Sequence, residues 1–140
     1  MTDNPPPRRR PSRAIVASDS RLLRDGLADA LSRSIAIRVV ASVADAYQAR
    51  AAISDLEPDI VLLDIEMLDS LGLVGSIQAG TRSSRIVAFT VSEIDEALAR
   101  YIEAGIDACV THRGSLNDLV TTVERVARGE TNTSPKLAAS

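Results

Sequence analysis

Apolar and polar positions alternate along the chain in blocks that predict five repeats of a strand followed by a helix. The predicted strands are short aliphatic runs at residues 14–17, 35–41, 58–63, 85–90 and 108–111. Runs of this kind are typical of strands that are buried on both faces of a parallel sheet. Five such units predict an α/β domain with a five-stranded parallel sheet, helices on both faces and right-handed crossovers.

Between the strands, apolar residues recur every three or four positions, which predicts one amphipathic helix after each strand. The first helix carries its apolar residues at Leu22, Leu23, Leu27, Ala30 and Leu31. Ser42 is a candidate N-cap for a second helix over residues 44–56, and Ser115 is a candidate for the last helix. A glycine is expected to end each of the last three helices, at Gly80, Gly105 and Gly129.

Composition limits the class of protein. Hydrophobic residues make up 45% of the 140 residues and aromatic residues only 2%, so the core must be aliphatic. No apolar run approaches the ~18 residues of a membrane span, and the arginine-rich start lacks the apolar region of a secretory signal, which predicts a cytoplasmic protein. The single cysteine, Cys109, cannot form an internal disulfide, and no Cys/His spacing suits structural zinc.

The formal net charge of −3 is divided unevenly along the chain. Four of the 16 basic residues and one of the 19 acidic residues precede position 14, which leaves −6 on the rest. An acidic body has no electrostatic footprint for nucleic acid. Residues 1–12 are rich in proline and arginine, and we expect them to form a disordered tail.

Asp64 follows four consecutive aliphatic residues, from Ile60 to Leu63, that predict the central strand of the sheet. In open α/β sheets, ligands bind at the carboxyl ends of the central strands, so this carboxylate is placed for chemistry. Asp19 and Thr90 lie at the ends of the first and fourth strands. Two carboxylates beside a hydroxyl suit Mg²⁺, and a positioned Asp can be a nucleophile. The alternative, that Asp64 only ends its strand or caps the next helix, stays open.

Several motifs together resemble the receiver domain of two-component response regulators, in the LuxR-type branch. They are VASDS at 16–20, LRDGL at 23–27, PDIVLLDIEM at 58–67, GL at 72–73, IVAFT at 86–90 and EAGIDA at 103–108. The resemblance covers residues 13–129 and implies a doubly wound, flavodoxin-like, three-layer sandwich. It also implies a signalling module that is not an enzyme.

The resemblance implies a role for each polar residue at the strand ends. Asp64 would be the phosphoacceptor, and Thr90 would be the hydroxyl that reorients towards the phosphoryl group. Asp19 would bind Mg²⁺ together with Asp64, and Glu66 would offer its backbone carbonyl to the metal. His112 stands where the family usually has a lysine that pairs with the phosphoryl oxygens, so it is a further candidate site residue.

The chain departs from the family pattern at several of these positions. Ser18-Asp19 replaces a pair of acidic residues, so Mg²⁺ binding is expected to be weak. Cys109 occupies the place of an aromatic switch residue, and is expected to be a small buried hydrophobe. These departures keep a second interpretation open, namely an interaction module that works without phosphorylation. An aspartate-nucleophile phosphatase is disfavoured because Glu66 stands where such enzymes need a second aspartate.

The expected partners follow from the same resemblance. They are a sensor histidine kinase or a small phosphodonor, a second copy in a homodimer, and DNA only through an absent C-terminal domain, with no membrane contact. Residues 130–140 are expected to be a linker towards that domain, since residues 133–137 resemble such a linker. The fourth helix, fifth strand and last helix form the expected output face, where Tyr101 is the most available aromatic residue. Receivers that this chain resembles pair through that surface or through the first and last helices.

Overall fold

The structure is a computed structural model that describes residues 10–80, 84–92 and 95–130. Within these residues, five strands alternate with five helices. The strands are β1 (Ser12–Ala17), β2 (Ile37–Val43), β3 (Ile60–Asp64), β4 (Arg85–Val91) and β5 (Ala108–Thr111). The helices are α1 (Arg21–Ser32), α2 (Ala46–Leu56), α3 (Ser70–Ala79), α4 (Asp95–Ala104) and α5 (Leu116–Ala127).

The five strands form one parallel sheet in the order β2-β1-β3-β4-β5, which places β3 at its centre. One face of the sheet packs against α2, α3 and α4 in a first aliphatic core. The other face packs against α1 and α5 in a second core. The predicted five-stranded, doubly wound, three-layer α/β fold is therefore confirmed.

Strand β3 shows why this sequence forms a central strand. All five of its residues are buried, and successive side chains enter opposite cores: Val61 and Leu63 pack with α2 to α4, and Ile60 and Leu62 with α1 and α5. Each such side chain contributes about 1.5–3 kcal/mol when it is fully buried. The pattern ends at Asp64, the last residue of the strand and the first whose side chain is polar.

Strands β1 and β2 and the start of α2 differ from the expectation. Strand β1 begins at Ser12, two residues earlier than expected and inside the predicted disordered tail, because Ser12 pairs with Ile37 of β2. Strand β2 begins and ends two residues later than expected, because its register pairs Ser12 with Ile37 and Val16 with Ser42 in β1. Ser42 is therefore a strand residue, and the cap of α2 is Asp45, whose side chain accepts a hydrogen bond from the backbone N–H of Gln48. The expectation for Ser42 was wrong because strand pairing extended past it.

The apolar stripes of α1 and α5 are also not entirely buried. Leu27 and Leu31 of α1 have no exposed surface, whereas Leu22 in its first turn is 84% exposed. In α5, Leu116 is 44% exposed, although Leu119, Val123 and Val126 are buried. Helical spacing therefore predicts only part of each buried stripe: Leu23, in the same first turn as Leu22, packs against the second core.

The helix ends predicted at Ser115 and Gly105 agree with the structure. Ser115 caps α5 in a capping box with Asp118, in which each side chain accepts a hydrogen bond from the other residue's backbone N–H. Gly105 follows α4 with a φ of 111°, and a Cβ there would lie 2.9 Å from the Gln78 side chain. Only glycine adopts that conformation without strain and also leaves room for Gln78.

Some predictions fall outside the described residues. These are the tail up to residue 9, the linker from residue 131 onwards, and residues 93 and 94 next to the start of α4. Among the helices that the structure describes, none combines the length and the apolar character that crossing a membrane requires.

Candidate functional site

Asp64 lies at the carboxyl edge of the sheet, and its side chain is held by hydrogen bonds on both oxygens. Ser18 donates its hydroxyl to Oδ2 at 2.6 Å. The backbone N–H of Glu66 donates to Oδ1 at 3.0 Å, and the Thr90 hydroxyl reaches the same oxygen at 2.5 Å. Asp64 is only 2% exposed, so these donors replace the water that a carboxylate would otherwise bind.

Thr90 reaches Asp64 because the backbone of β4 is irregular at this residue. Its φ is +57°, and the register between β4 and β5 shifts between Ala88 and Val91. A β-branched residue in this region of φ is unusual and costs on the order of 1–3 kcal/mol. Such strain is concentrated at functional sites, which supports a role for Thr90 beyond its preference for strands.

The Thr90 hydroxyl has two acceptors within reach. Its Oγ1 lies 2.5 Å from Asp64 Oδ1 and also 2.5 Å from the carbonyl oxygen of Phe89. A hydroxyl has one proton, so it can donate to only one of them at a time. The charged carboxylate is the stronger acceptor of the two. The carbonyl of Phe89 remains available to the hydroxyl if the carboxylate loses its charge.

Ser18 links Asp64 to the start of α1. Its side chain has no exposed surface, and its Oγ accepts a hydrogen bond from the backbone N–H of Ser20, the N-cap of α1, at 3.1 Å. Its carbonyl accepts a hydrogen bond from the guanidinium of Arg24 at 2.7 Å. Sequence reasoning treated Ser18 only as a missing carboxylate and did not predict this contact. The position of Ser18 directly after β1, the strand that pairs with β3, was the sequence signal that could have predicted the contact with Asp64.

The residues expected to bind Mg²⁺ are only partly brought together. Asp19 and Glu66 are exposed, while Asp64 is buried. Among the residues that the structure describes, no three His, Cys, Asp or Glu side chains are grouped so that they could hold a metal ion. Because two donors fill Oδ1 and the Ser18 hydroxyl is hydrogen-bonded to Oδ2, this arrangement fits a divalent cation poorly.

His112 lies at the end of β5, where it was expected, but on the exposed surface. Its backbone N–H donates to the carbonyl of Val91 at 3.0 Å, and its Nδ1 lies 3.4 Å from the same oxygen. These contacts join the ends of β4 and β5. The hydrogen bonds that the described residues make to Asp64 come from Ser18, Glu66 and Thr90, and His112 is not among them.

Cys109 and Tyr101 differ in how far the expectations for them hold. Cys109 is 6% exposed in the core, as expected for a small hydrophobe, and burial raises the pKa of its thiol. Tyr101 is half-buried against the core, and its hydroxyl lies 2.5 Å from Oγ of Ser70. The carbonyl oxygen of Ile65 lies 2.8 Å from Oγ of Ser70 and 3.5 Å from the Tyr101 hydroxyl, so both hydroxyls belong to one hydrogen-bonded group. Tyr101 therefore anchors α4 to the segment after Asp64 while part of its side chain stays exposed on the expected output face.

Comparison with protein families agrees with this geometry. The family model described as the response regulator receiver domain matches residues 14–124. The nitrate/nitrite response regulator protein NarL of Escherichia coli (strain K12) is 29% identical over 136 residues, which cover 93% of this chain and 63% of NarL. The response regulator protein VraR of Staphylococcus aureus (strain N315) is 26% identical over 127 residues, covering 89% of this chain and 61% of VraR. The chain thus spans about three fifths of the length of these relatives.

Solved structures show the same architecture. A two-component response regulator of the LuxR family from Aurantimonas sp. SI85-9A1 superimposes with a TM-score of 0.82 at 26% identity, over 92% of this chain and 94% of that one. The isolated receiver domain of RcsB from Salmonella enterica serovar Typhimurium, solved with a phosphomimetic, also has a TM-score of 0.82, and at 19% identity it supports the fold alone. With its central β3, its buried Asp64 and these relatives, the chain belongs to the receiver domains of two-component response regulators, in the LuxR/NarL-type branch.

Proposed function

We propose that this receiver domain takes up its signal as a phosphoryl group on Asp64. Receiver domains are signalling modules and generally not enzymes, and histidine kinases phosphorylate them. The observation that carries the proposal is the position of Asp64, the last residue of the central strand, with its carboxylate fixed by hydroxyl and backbone donors. The fixed position orients the carboxylate, and Oδ2, which accepts only the Ser18 hydrogen bond from the described residues, keeps a lone pair for attack.

In the proposed reaction, one carboxylate oxygen of Asp64 attacks the phosphorus of the donor. A bond forms between that oxygen and phosphorus, the bond from phosphorus to the leaving group breaks, and the leaving group takes the electron pair. Asp64 then carries an acyl phosphate. The Thr90 hydroxyl, which already has two acceptors within 2.5 Å, would turn towards a phosphoryl oxygen. We propose this turn of Thr90 as the first conformational consequence of phosphorylation.

We propose that Mg²⁺ contributes weakly in this chain. Receiver domains typically bind Mg²⁺ at an acidic pocket, where the ion neutralises charge on the phosphoryl group. Here Asp19 and the backbone carbonyl of Glu66, beside Asp64, are the groups that remain to hold it. Asp19 is exposed and the oxygens of Asp64 are occupied, which supports weak binding.

We propose that His112 faces the phosphoryl group from the end of β5 once Asp64 is phosphorylated. Its position at the strand end supports this role, and its exposure leaves the ring room to turn. Histidine is shorter than lysine, and lysine keeps its charge throughout the neutral range. The phosphorylated state is therefore expected to be less stabilised than in a receiver with lysine at this position.

The proposed partners are a histidine kinase, or a small phosphodonor, and a second copy of the chain. The exposed Leu22 and Leu116, at the starts of α1 and α5, support dimerisation through these two helices. We propose residues 13–129 as the receiver unit and 130–140 as a linker. Contact with DNA would require a further domain, since the body of this chain is acidic. We further propose a cytoplasmic location, which is consistent with response regulators.

Intact mass spectrometry after incubation with acetyl phosphate and Mg²⁺ tests the proposal. The wild-type chain should gain the mass of one phosphoryl group, and Asp64→Asn should gain none. Asp59→Asn is a matched control, because it also removes one carboxylate but lies at the opposite end of β3. An unmodified wild-type chain at every donor concentration would reject phosphorylation at Asp64 and would favour the interaction module that works without it.

A further inference from the structure

We infer that Ser18 is a positioning residue that takes the place of a divalent cation at Asp64. Its hydroxyl would hold the carboxylate in the resting state and keep metal ions away from Oδ2. The inference concerns the same site as the proposed function and rests on it for its biological meaning, but the contacts that support it are those of the unphosphorylated chain.

The two oxygens of Asp64 differ in how many donors they accept. Oδ1 receives the backbone N–H of Glu66 and is within reach of the Thr90 hydroxyl, and these two donors fill its two lone-pair sites. Oδ2 receives a single hydrogen bond from the described residues, that of Ser18. Oδ2 is therefore the oxygen with room for a cation, and the Ser18 hydroxyl lies directly against it.

The direction of the Ser18 hydroxyl is fixed by its neighbours. Its Oγ accepts the backbone N–H of Ser20 at 3.1 Å, which occupies one of its lone pairs. Its single proton is aimed at Asp64 Oδ2 at 2.6 Å, a distance typical of a hydrogen bond to a charged oxygen. A cation at Oδ2 would face this proton and would have to displace it. Ser18 thus opposes metal binding and does not contribute a ligand.

The backbone around Ser18 leaves its side chain little freedom to move away. Its N–H donates to the carbonyl of Val43 at 3.1 Å, and its own carbonyl is held by Arg24 at 2.7 Å. The residue has no exposed surface. The Ser18 hydroxyl is therefore held in a fixed position in the site around Asp64. A serine that merely filled space would not need its donor aligned with the one open oxygen of a buried carboxylate.

Binding of Mn²⁺ to the unphosphorylated full chain tests the inference, with paramagnetic broadening of backbone NMR signals near Asp64 as the readout. Mn²⁺ is a suitable probe because it takes the same oxygen ligands as Mg²⁺. The wild-type chain should show no saturation below the millimolar range. Ser18→Asp, which replaces the donor by a ligand, should bind at least about tenfold more tightly.

Ser42→Asp is the matched control, because it adds the same charge at an exposed position on the neighbouring strand β2. It should bind Mn²⁺ as weakly as the wild type does. Equal affinities for folded Ser18→Asp and Ser42→Asp would overturn the inference. Submillimolar binding to the wild type that is lost in Asp64→Asn would overturn it as well, whatever the fate of the variants.

Ser18→Ala provides a second test in case the aspartate introduced by Ser18→Asp prevents folding. It removes the proton that opposes the cation without adding charge, so Mn²⁺ should bind more tightly than to the wild type, and an unchanged affinity would contradict the inference. No phosphodonor is present in these titrations. Failure of the phosphorylation proposal would therefore appear as a missing acetyl phosphate adduct, and failure of this inference as an unchanged Mn²⁺ affinity.

Discussion

The ends of strands β3 and β5 lie at the same edge of the sheet but are built in opposite ways. Asp64 at the end of β3 is 2% exposed and is held by donors from three different segments of the chain. His112 at the end of β5 is exposed, and its described hydrogen bonds go to the backbone of Val91. The proposed acceptor of the phosphoryl group is therefore fixed before any ligand arrives, whereas its proposed charge partner is not.

This difference has energetic consequences. A hydrogen bond to a buried charged group contributes about 1.5–3 kcal/mol, while exposed charges contribute on the order of 1 kcal/mol or less. Substitutions around Asp64 should therefore change the stability of the whole domain. Substitutions of His112 should leave stability almost unchanged and affect only the phosphorylated state.

The largest effect is expected when both hydroxyl donors to Asp64 are removed. The double variant Ser18→Ala/Thr90→Val should lose about 3 kcal/mol or more of unfolding free energy in urea denaturation, because a buried carboxylate loses two charge-assisted hydrogen bonds. The two single variants complete a double-mutant cycle, and they should couple because both donors share one carboxylate. Thr90→Ser retains the hydroxyl and serves as the control. A double variant as stable as the wild type would mean that the closed site adds nothing to stability.

The next effect concerns Cys109, which lies on β5 three residues before His112. Because burial raises the pKa of its thiol, the thiolate fraction near pH 8 is smaller than in the unfolded chain. Alkylation by iodoacetamide should be at least about tenfold slower in the folded chain than in urea. The pH profile of alkylation should also shift upwards. Equal rates in both states would show that the buried part of β5 opens freely.

The raised pKa of the Cys109 thiol also predicts a pH dependence of stability. Its burial as a neutral thiol favours the folded state fully at pH values below the ordinary thiol range, and this contribution is lost as the pH rises through the raised value. Cys109→Ala should remove this alkaline part of the pH profile. The variant provides a control for the alkylation measurement as well.

A smaller effect is expected at Tyr101, which extends the buried network from the end of β3 to α4. Tyr101→Phe removes the hydroxyl that is hydrogen-bonded to Ser70 and should cost about 1 kcal/mol of unfolding free energy. Tyr47→Phe is the matched control, because Tyr47 is 83% exposed and its loss of a hydroxyl should have no measurable effect. Identical effects of the two substitutions would show that the Tyr101 hydroxyl does not connect α4 to the hydrogen-bond network around Asp64.

The smallest effect on stability is expected at His112. His112→Lys should change the unfolding free energy by no more than about 0.5 kcal/mol, since the residue is exposed. If the phosphoryl adduct forms, its half-life should be longer in His112→Lys, because lysine brings a longer and permanently charged side chain. His112→Gln, whose side chain carries no charge, separates the effect of charge on the half-life of the adduct from the effect of side-chain size. Equal adduct lifetimes in the wild type and both variants would mean that His112 is only a loop residue.

The parts of the structure that the sequence predicted depend on local patterns. The aliphatic run before Asp64 identifies the central strand, and the cap at Ser115 and the glycine at Gly105 fix helix ends within a few residues. The parts that it missed depend on tertiary register. Whether Ser42 caps a helix or continues a strand is decided by its pairing with β1, and the bond from Ser18 to Asp64 joins residues 46 positions apart.

The exposed and anchored residues show the same limit. Leu22 has the spacing of a core residue, but it is 84% exposed, whereas its neighbour Leu23 packs against the second core. Tyr101 has the position of a surface aromatic residue, and only the packing of α4 against the segment after β3 shows that its hydroxyl is used. Spacing predicts the side of a helix, but not how far the neighbouring elements cover it.

The most direct test of Asp64 as phosphoacceptor is to locate the acyl phosphate in the chain. Borohydride reduces an aspartyl phosphate to homoserine with release of phosphate, so peptide mass spectrometry after acetyl phosphate treatment and reduction identifies the modified residue. We predict homoserine at position 64 in the wild-type chain and none in Asp64→Asn. Homoserine at position 19 alone, or an unreduced wild-type chain, would contradict the assignment of Asp64.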